Sequence, residues 1–137
     1  MKKALLLFPV ALTAVFLAWS QTNDSEAKKN QLEGTWEIVS GHQLPPGSRD
    51  IKIISGGHFV WTIYDTAKGK PLYTGGGTYV LNGNSYTEHV DFMTPEISAG
   101  IVGKDQAFIV KVEGDKLTQT GALSNGEGLS ETWKRVD

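Results

Sequence analysis

The 137-residue chain contains no cysteine. That excludes disulfide stapling, thiolate catalysis, zinc held by cysteine and lipid attachment through an N-terminal cysteine. It has little charge of either sign in excess: 13 Lys+Arg stand against 15 Asp+Glu, for a net charge of −2. With no long basic run, neither a nucleic-acid surface nor a polyanion stripe is expected. From Thr35 onward no apolar helical period of ten residues survives, which argues against a helical core. Several catalytic signatures are missing as well. There is no Gly-x-Ser-x-Gly, and Gly75-Gly76-Gly77 is followed by neither a lysine nor a helix, so it is not a phosphate loop. The three histidines, His42 in a loop, His58 at a strand start and His89 facing outward, share no face at ligand spacing and read as exposed polar groups. No metal and no cofactor is expected.

What is present begins with an address. Met1-Lys2-Lys3 is a short positive region, and Ala4 to Trp19 is a nearly unbroken apolar run ending in Ala18-Trp19-Ser20. This pattern reads as a signal peptide over residues 1–20, cleaved after Ser20, and implies a secreted or periplasmic protein with no membrane attachment after cleavage. The competing reading is an uncleaved membrane anchor, disfavoured because the run is short and no Lys/Arg stop-transfer cluster follows it. Residues 21–33 are polar and read as a linker, with one helical turn around Ser25 to Leu32. Residues 34–137 are the expected domain.

Short β-branched and aromatic runs, broken by Gly, Asn and Asp, predict eight strands: Thr35 to Ser40, Asp50 to Ile54, His58 to Tyr64, Leu72 to Leu81, Ser85 to Phe92, Gln106 to Val112, Lys116 to Leu123 and Leu129 to Val136. Hairpin signals between consecutive strands describe an all-β, antiparallel up-and-down meander, which hides its edges by closing into a β-barrel. The connections alternate in length. Ser55-Gly56-Gly57, Asn82-Gly83-Asn84 and Glu113-Gly114-Asp115 are tight turns at one end; Gly41 to Arg49, Asp65 to Pro71, Met93 to Asp105 and Ser124 to Gly128 are longer and fall at the other. One end is therefore pinched and the other loopy, the geometry of a cup, with Met93 to Asp105 as a candidate lid over its mouth.

Strand alternation sorts the side chains. The more apolar parity turns Trp36, Ile38, Phe59, Trp61, Ile63, Tyr73, Tyr79, Tyr86, Val90, Phe92, Phe108, Val110, Leu117, Leu129 and Trp133 inward. Gly75, Gly77 and Gly121 fall on the same parity and contribute no volume; they leave either a space or a bulge that curls the sheet. Glu88 and Glu131 also fall there. A buried carboxylate is costly unless paired, and Arg135 or the hydroxyls of Tyr73, Tyr79 and Tyr86 are the partners this parity offers.

Gly34-Thr35-Trp36 opening the first strand, with Trp133-Lys134-Arg135 closing the last, resembles the lipocalin and wider calycin pattern. Gly76-Gly77-Thr78-Tyr79, Tyr86-Thr87-Glu88-His89-Val90 and Glu131-Thr132-Trp133-Lys134-Arg135 are similar to segments of small exported bacterial lipocalin-like proteins. The resemblance implies a closed end sealed by Trp36 beneath Arg135, with Trp133 next to it. It also implies a small hydrophobic or amphipathic molecule as partner. The usual lipocalin disulfide is absent, and the chain is short for that family. The expected ligand contacts are Trp61, Ile63, Phe92 and Phe108 for an apolar body, with Tyr73, Glu88 and Glu131 setting orientation. Two other readings stand beside this one: an isomerase-type or other enzyme using the inward carboxylates, and an exported interaction module with a filled core.

Overall fold

The computed structural model describes residues 24, 26–29, 31–98 and 100–137. The expected signal peptide over residues 1–20 and its cleavage site after Ser20 lie outside the described residues. The eight strands are β1 (Gly34–Ser40), β2 (Ser48–Ser55), β3 (His58–Asp65), β4 (Lys70–Asn82), β5 (Ser85–Met93), β6 (Asp105–Glu113), β7 (Lys116–Ala122) and β8 (Gly128–Arg135). Each pairs antiparallel with its neighbours in sequence, and β8 returns to β1, so the sheet closes as an up-and-down barrel. Closure leaves no strand edge to template further pairing. No helix among the described residues is long and apolar enough to cross a membrane.

The turns set the shape. At the β2–β3 turn Gly56 and Gly57 both hold positive φ, 59° and 82°, which a two-residue hairpin twisted with its strands requires. This turn and its two counterparts gather at the floor of the barrel. The long connections gather at the mouth, where a 3-10 turn at Pro95–Ile97 interrupts the β5–β6 loop.

The floor is packed from below by the segment that precedes β1. Residues 24, 26–29, 31 and 32 are helical, and Leu32 is buried in the core together with Trp36, Ile54, Tyr86 and Leu117. The Trp36 indole N–H donates to the Leu32 carbonyl at 2.9 Å. The guanidinium of Arg135 lies 4.1 Å from the centre of the Trp36 ring and donates to the carbonyls of Glu33 (2.9 Å) and Gln31 (2.6 Å). A cation on an indole face with its remaining donors on backbone oxygens is a favourable, half-buried arrangement.

The β4–β5 pairing holds an irregularity that reassigns side chains. Gly76 pairs with Phe92 but Gly77 with Val90, so Asp91 is the extra residue of a bulge. Past it the alternation inverts: Phe92, expected inward, lies on the outer face 49% exposed, and Met93 turns in. The glycines explain why the chain tolerates this. A Cβ on Gly77 would collide with the His89 carbonyl of the bulged strand, and one on Gly76 would lie 2.8 Å from the Phe92 ring that covers it from outside. Gly75 opens no hole either, because the Trp61 ring lies across it, 2.7 Å from where a Cβ would sit.

Candidate functional site

A cavity of about 420 Å³ opens in the mouth half of the barrel. Trp61 and Ile63 from β3, Val90 and Met93 from β5, Phe108 from β6 and Leu129 from β8 form its apolar wall, and Ile97 and Ile101 of the β5–β6 loop reach it from above. That loop is pegged at both ends: Thr94 N–H donates to the Thr74 carbonyl at 2.8 Å, and Gly103 N–H to the Val90 carbonyl at 2.7 Å. Ile101 is itself buried in the core. The segment expected as a lid therefore covers part of the mouth.

Two of the polar residues on the lining come from a strand that sequence alternation does not resolve. In β2 the apolar-looking parity is Ile51 and Ile53, yet Ile53 is 45% exposed, whereas Asp50 and Lys52 are each 2% exposed and face the interior. The reason lies in the pairing. Lys52 is opposite inward Trp61, and Asp50 is opposite inward Ile63.

Two charge clusters result. In the first, the Lys52 ammonium donates to the Glu88 carboxylate and, at 3.0 Å, to the Gln119 side-chain carbonyl. The rings of Phe59, Tyr86 and Trp133 surround it at 5.4 to 5.7 Å from their centres. Burial, helped by the charge of Glu88, pushes the Tyr86 phenol well above its ordinary range, and its hydroxyl finds no hydrogen-bond partner among the described residues. In the second cluster His42 bridges two carboxylates, with Nε2 3.1 Å from Asp50 and Nδ1 3.5 Å from Glu131. Hydrogen bonds to Asp50 and Glu131 raise His42 to about 9, so it is an imidazolium at neutral pH. Glu131 also accepts from the Trp133 indole N–H at 3.1 Å. Asp50 is raised above the ordinary aspartate value, by burial first, and its Oδ1 accepts no hydrogen bond among the described residues.

Of the ligand contacts expected from sequence, Trp61, Ile63, Glu88, Phe108 and Glu131 line one cavity, and Trp133, expected at the closed end, lines it as well. Phe92 does not, because the bulge turns it outward, and Tyr73, half-buried opposite Ile63, lies outside the lining. The expected partners of the two glutamates are replaced. Lys52 holds Glu88, and His42 with Trp133 holds Glu131, while Arg135 remains at the floor on Trp36. His42, read as an exposed loop histidine, is one, and its side chain also reaches the lining. His89 is exposed and bonded to Asp105 at 2.7 Å, and His58 to the Gly56 carbonyl at 3.1 Å. Among the described residues no group of three His, Cys, Asp or Glu is placed to hold a metal ion.

No curated protein matches the chain. A family model described as a domain of unknown function (DUF4488) matches residues 31–137, and the chain belongs to that family.

Proposed function

We propose that this member of the DUF4488 family is an exported, lipocalin-like barrel that binds a small, mainly apolar molecule with a polar end in the cavity of its mouth half. The observation that carries the reading is the cavity itself. Its volume of about 420 Å³ lies within the roughly 300–1,000 Å³ of small-molecule sites, and it sets an apolar wall against a convergent group of polar side chains, as such sites do. Burial of an apolar body against Trp61, Ile63, Phe108 and Leu129 supplies the affinity, on the order of 1 kcal/mol for each well-covered side chain. Glu88 and Glu131, the inward carboxylates, fix orientation, and Asp50 joins them. The Arg135–Trp36 stack beneath the floor supports the calycin resemblance, and the paired β2, β7 and β8 side chains explain how so small a domain keeps polar groups inside.

An acid/base enzyme built on the same carboxylates has less support. Glu88 is already held by Lys52, and Tyr86, the phenol beside it, is outside the cavity lining.

The test is uptake of a neutral apolar fluorophore, N-phenyl-1-naphthylamine, together with native mass spectrometry of the protein purified from its exporting host. Saturable fluorescence enhancement that is displaced by a co-purified small molecule supports the reading. A bare protein that leaves the fluorophore dark overturns it and favours the interaction module.

A further inference from the structure

The charges on the cavity lining do not balance, and the imbalance indicates what the ligand carries. Three largely buried carboxylates, Asp50, Glu88 and Glu131, face two cations, Lys52 and His42. Lys52 neutralises Glu88. The single charge of the His42 imidazolium is divided between Asp50 and Glu131, so one negative charge on that wall has no counterpart. The hydrogen bonds show the same deficit. Both ring nitrogens of His42 lie within ion-pair distance of carboxylates and the indole N–H of Trp133 already donates to Glu131, yet Asp50 Oδ1, on a residue 2% exposed, receives no donor among the described residues. A buried acceptor left without a donor is costly, and a buried carboxylate without a counter-charge more so.

Three kinds of ligand head group meet this wall differently. A carboxylate or phosphate would add negative charge where negative charge is already in excess. A hydroxyl would supply a donor but no charge. A protonated amine supplies both. We infer, building on the binding reading above, that the ligand is an apolar molecule ending in a protonated amine, whose N–H groups donate to Asp50 and Glu131 while its body lies against Trp61 and Phe108. His42 is the part of the cluster able to yield to it. Its side chain is 35% exposed, against 3% for Asp50 and 13% for Glu131, and it sits in the β1–β2 loop rather than on a strand. In the empty barrel His42, alone among the described residues, shares the two carboxylates that the incoming cation joins.

Calorimetry on the folded chain at pH 7 with octylamine, octanol and octanoate tests this, because the three share one apolar body. Octylamine is expected to bind about tenfold more tightly than octanol, and octanoate more weakly than either. Asp50→Asn is expected to abolish the margin of octylamine over octanol, the two affinities being compared within the variant. Should Asp50→Asn not fold, His42→Ala gives the second reading: with the competing cation removed, octylamine binds more tightly, and unchanged or weaker binding contradicts the inference. Octanoate equal to or tighter than octylamine overturns it, as does an Asp50→Asn variant that keeps the amine margin. If octanol and the neutral fluorophore bind while octylamine does not, the amine inference fails and the binding reading stands. If none of the four binds, both fail.

Discussion

The two ends of the barrel handle their polar groups in opposite ways. At the floor the polar groups are paired apart from the Tyr86 hydroxyl: Arg135 sits on Trp36 and two carbonyls, and Glu33 accepts from both the Gly56 N–H at 2.9 Å and the Tyr79 hydroxyl at 3.1 Å. Large side chains fill the remaining space, with Trp36, Ile54 and Leu117 wholly buried. The mouth half keeps an open volume, an excess carboxylate and an acceptor without a donor. A closed barrel permits this division because its stability is carried by the ladder and the packed end, leaving the other end free to hold groups that a folding argument alone would not choose.

Substitutions that separate the two ends sharpen the contrast. Trp36→Ala removes the largest side chain of the floor and, with it, the aromatic face beneath Arg135. We expect a loss of about 3–5 kcal/mol in urea unfolding, with no selective effect on ligand affinity in whatever fraction folds. Lys52→Met is expected to be nearly as damaging, about 3–5 kcal/mol, because it leaves Glu88 buried and unpaired. The double variant Lys52→Met with Glu88→Leu should regain most of that loss, and if it does not, the pair is not the source of the effect. Arg135→Ala, which removes the cation on Trp36 and two hydrogen bonds at a partly exposed site, is expected to cost about 1–2 kcal/mol.

Smaller effects are expected from His42 and Phe92. The carboxylates of Asp50 and Glu131 raise His42 to about 9 in the folded barrel, from an unfolded value of 6.5. A raised value means that the folded state holds the proton more tightly. The stabilisation from His42 is therefore complete below about pH 6.5 and is lost as pH rises through about 9. Its size is moderated by solvent, since the side chain is more than one third exposed. Urea midpoints followed from pH 6 to 10 should fall for the native chain and flatten for His42→Gln; parallel curves would contradict the ion-pair assignment. Smallest of all is Phe92→Ala, expected below about 1 kcal/mol because the ring lies outside the barrel over Gly76. A loss as large as that of an interior phenylalanine would place the ring inside and remove the bulge.

How much of this was legible in the sequence depended on local pattern. Glycine turns and β-branched runs fixed all eight strands and their up-and-down order, because each turn type needs particular residues and each strand repeats every second position. The alternation of short and long connections located floor and mouth. Three things escaped. Asp50 and Lys52 were hidden because Ile51 and Ile53 occupy the other parity of β2, so hydrophobicity indicates the wrong face; only the register against Trp61 and Ile63 reveals the right one. Phe92 was misdirected by a bulge at Asp91 that alternation by itself does not signal, although the glycine run opposite it gave a reason to look there. His42 is the exposed loop residue that its position indicates, but its place on the lining is not legible because its two partners come from β2 and β8, far away in sequence. A carboxylate at an apolar position, as at Glu88 and Glu131, was the one signal that pointed to the interior cluster, and it indicated the place without the partners.

On the binding reading proposed above, small molecules enter the mouth half and leave the floor untouched. The indole N–H signals of the tryptophans report on both regions at once in a two-dimensional proton–nitrogen spectrum of the folded chain titrated with N-phenyl-1-naphthylamine. Trp61 and Trp133, on the cavity lining, are predicted to shift saturably with the probe, while Trp36, sealed beneath Arg135 and bonded to the Leu32 carbonyl, stays where it is. Motionless Trp61 and Trp133 signals, or a Trp36 signal that moves with them, would contradict the account.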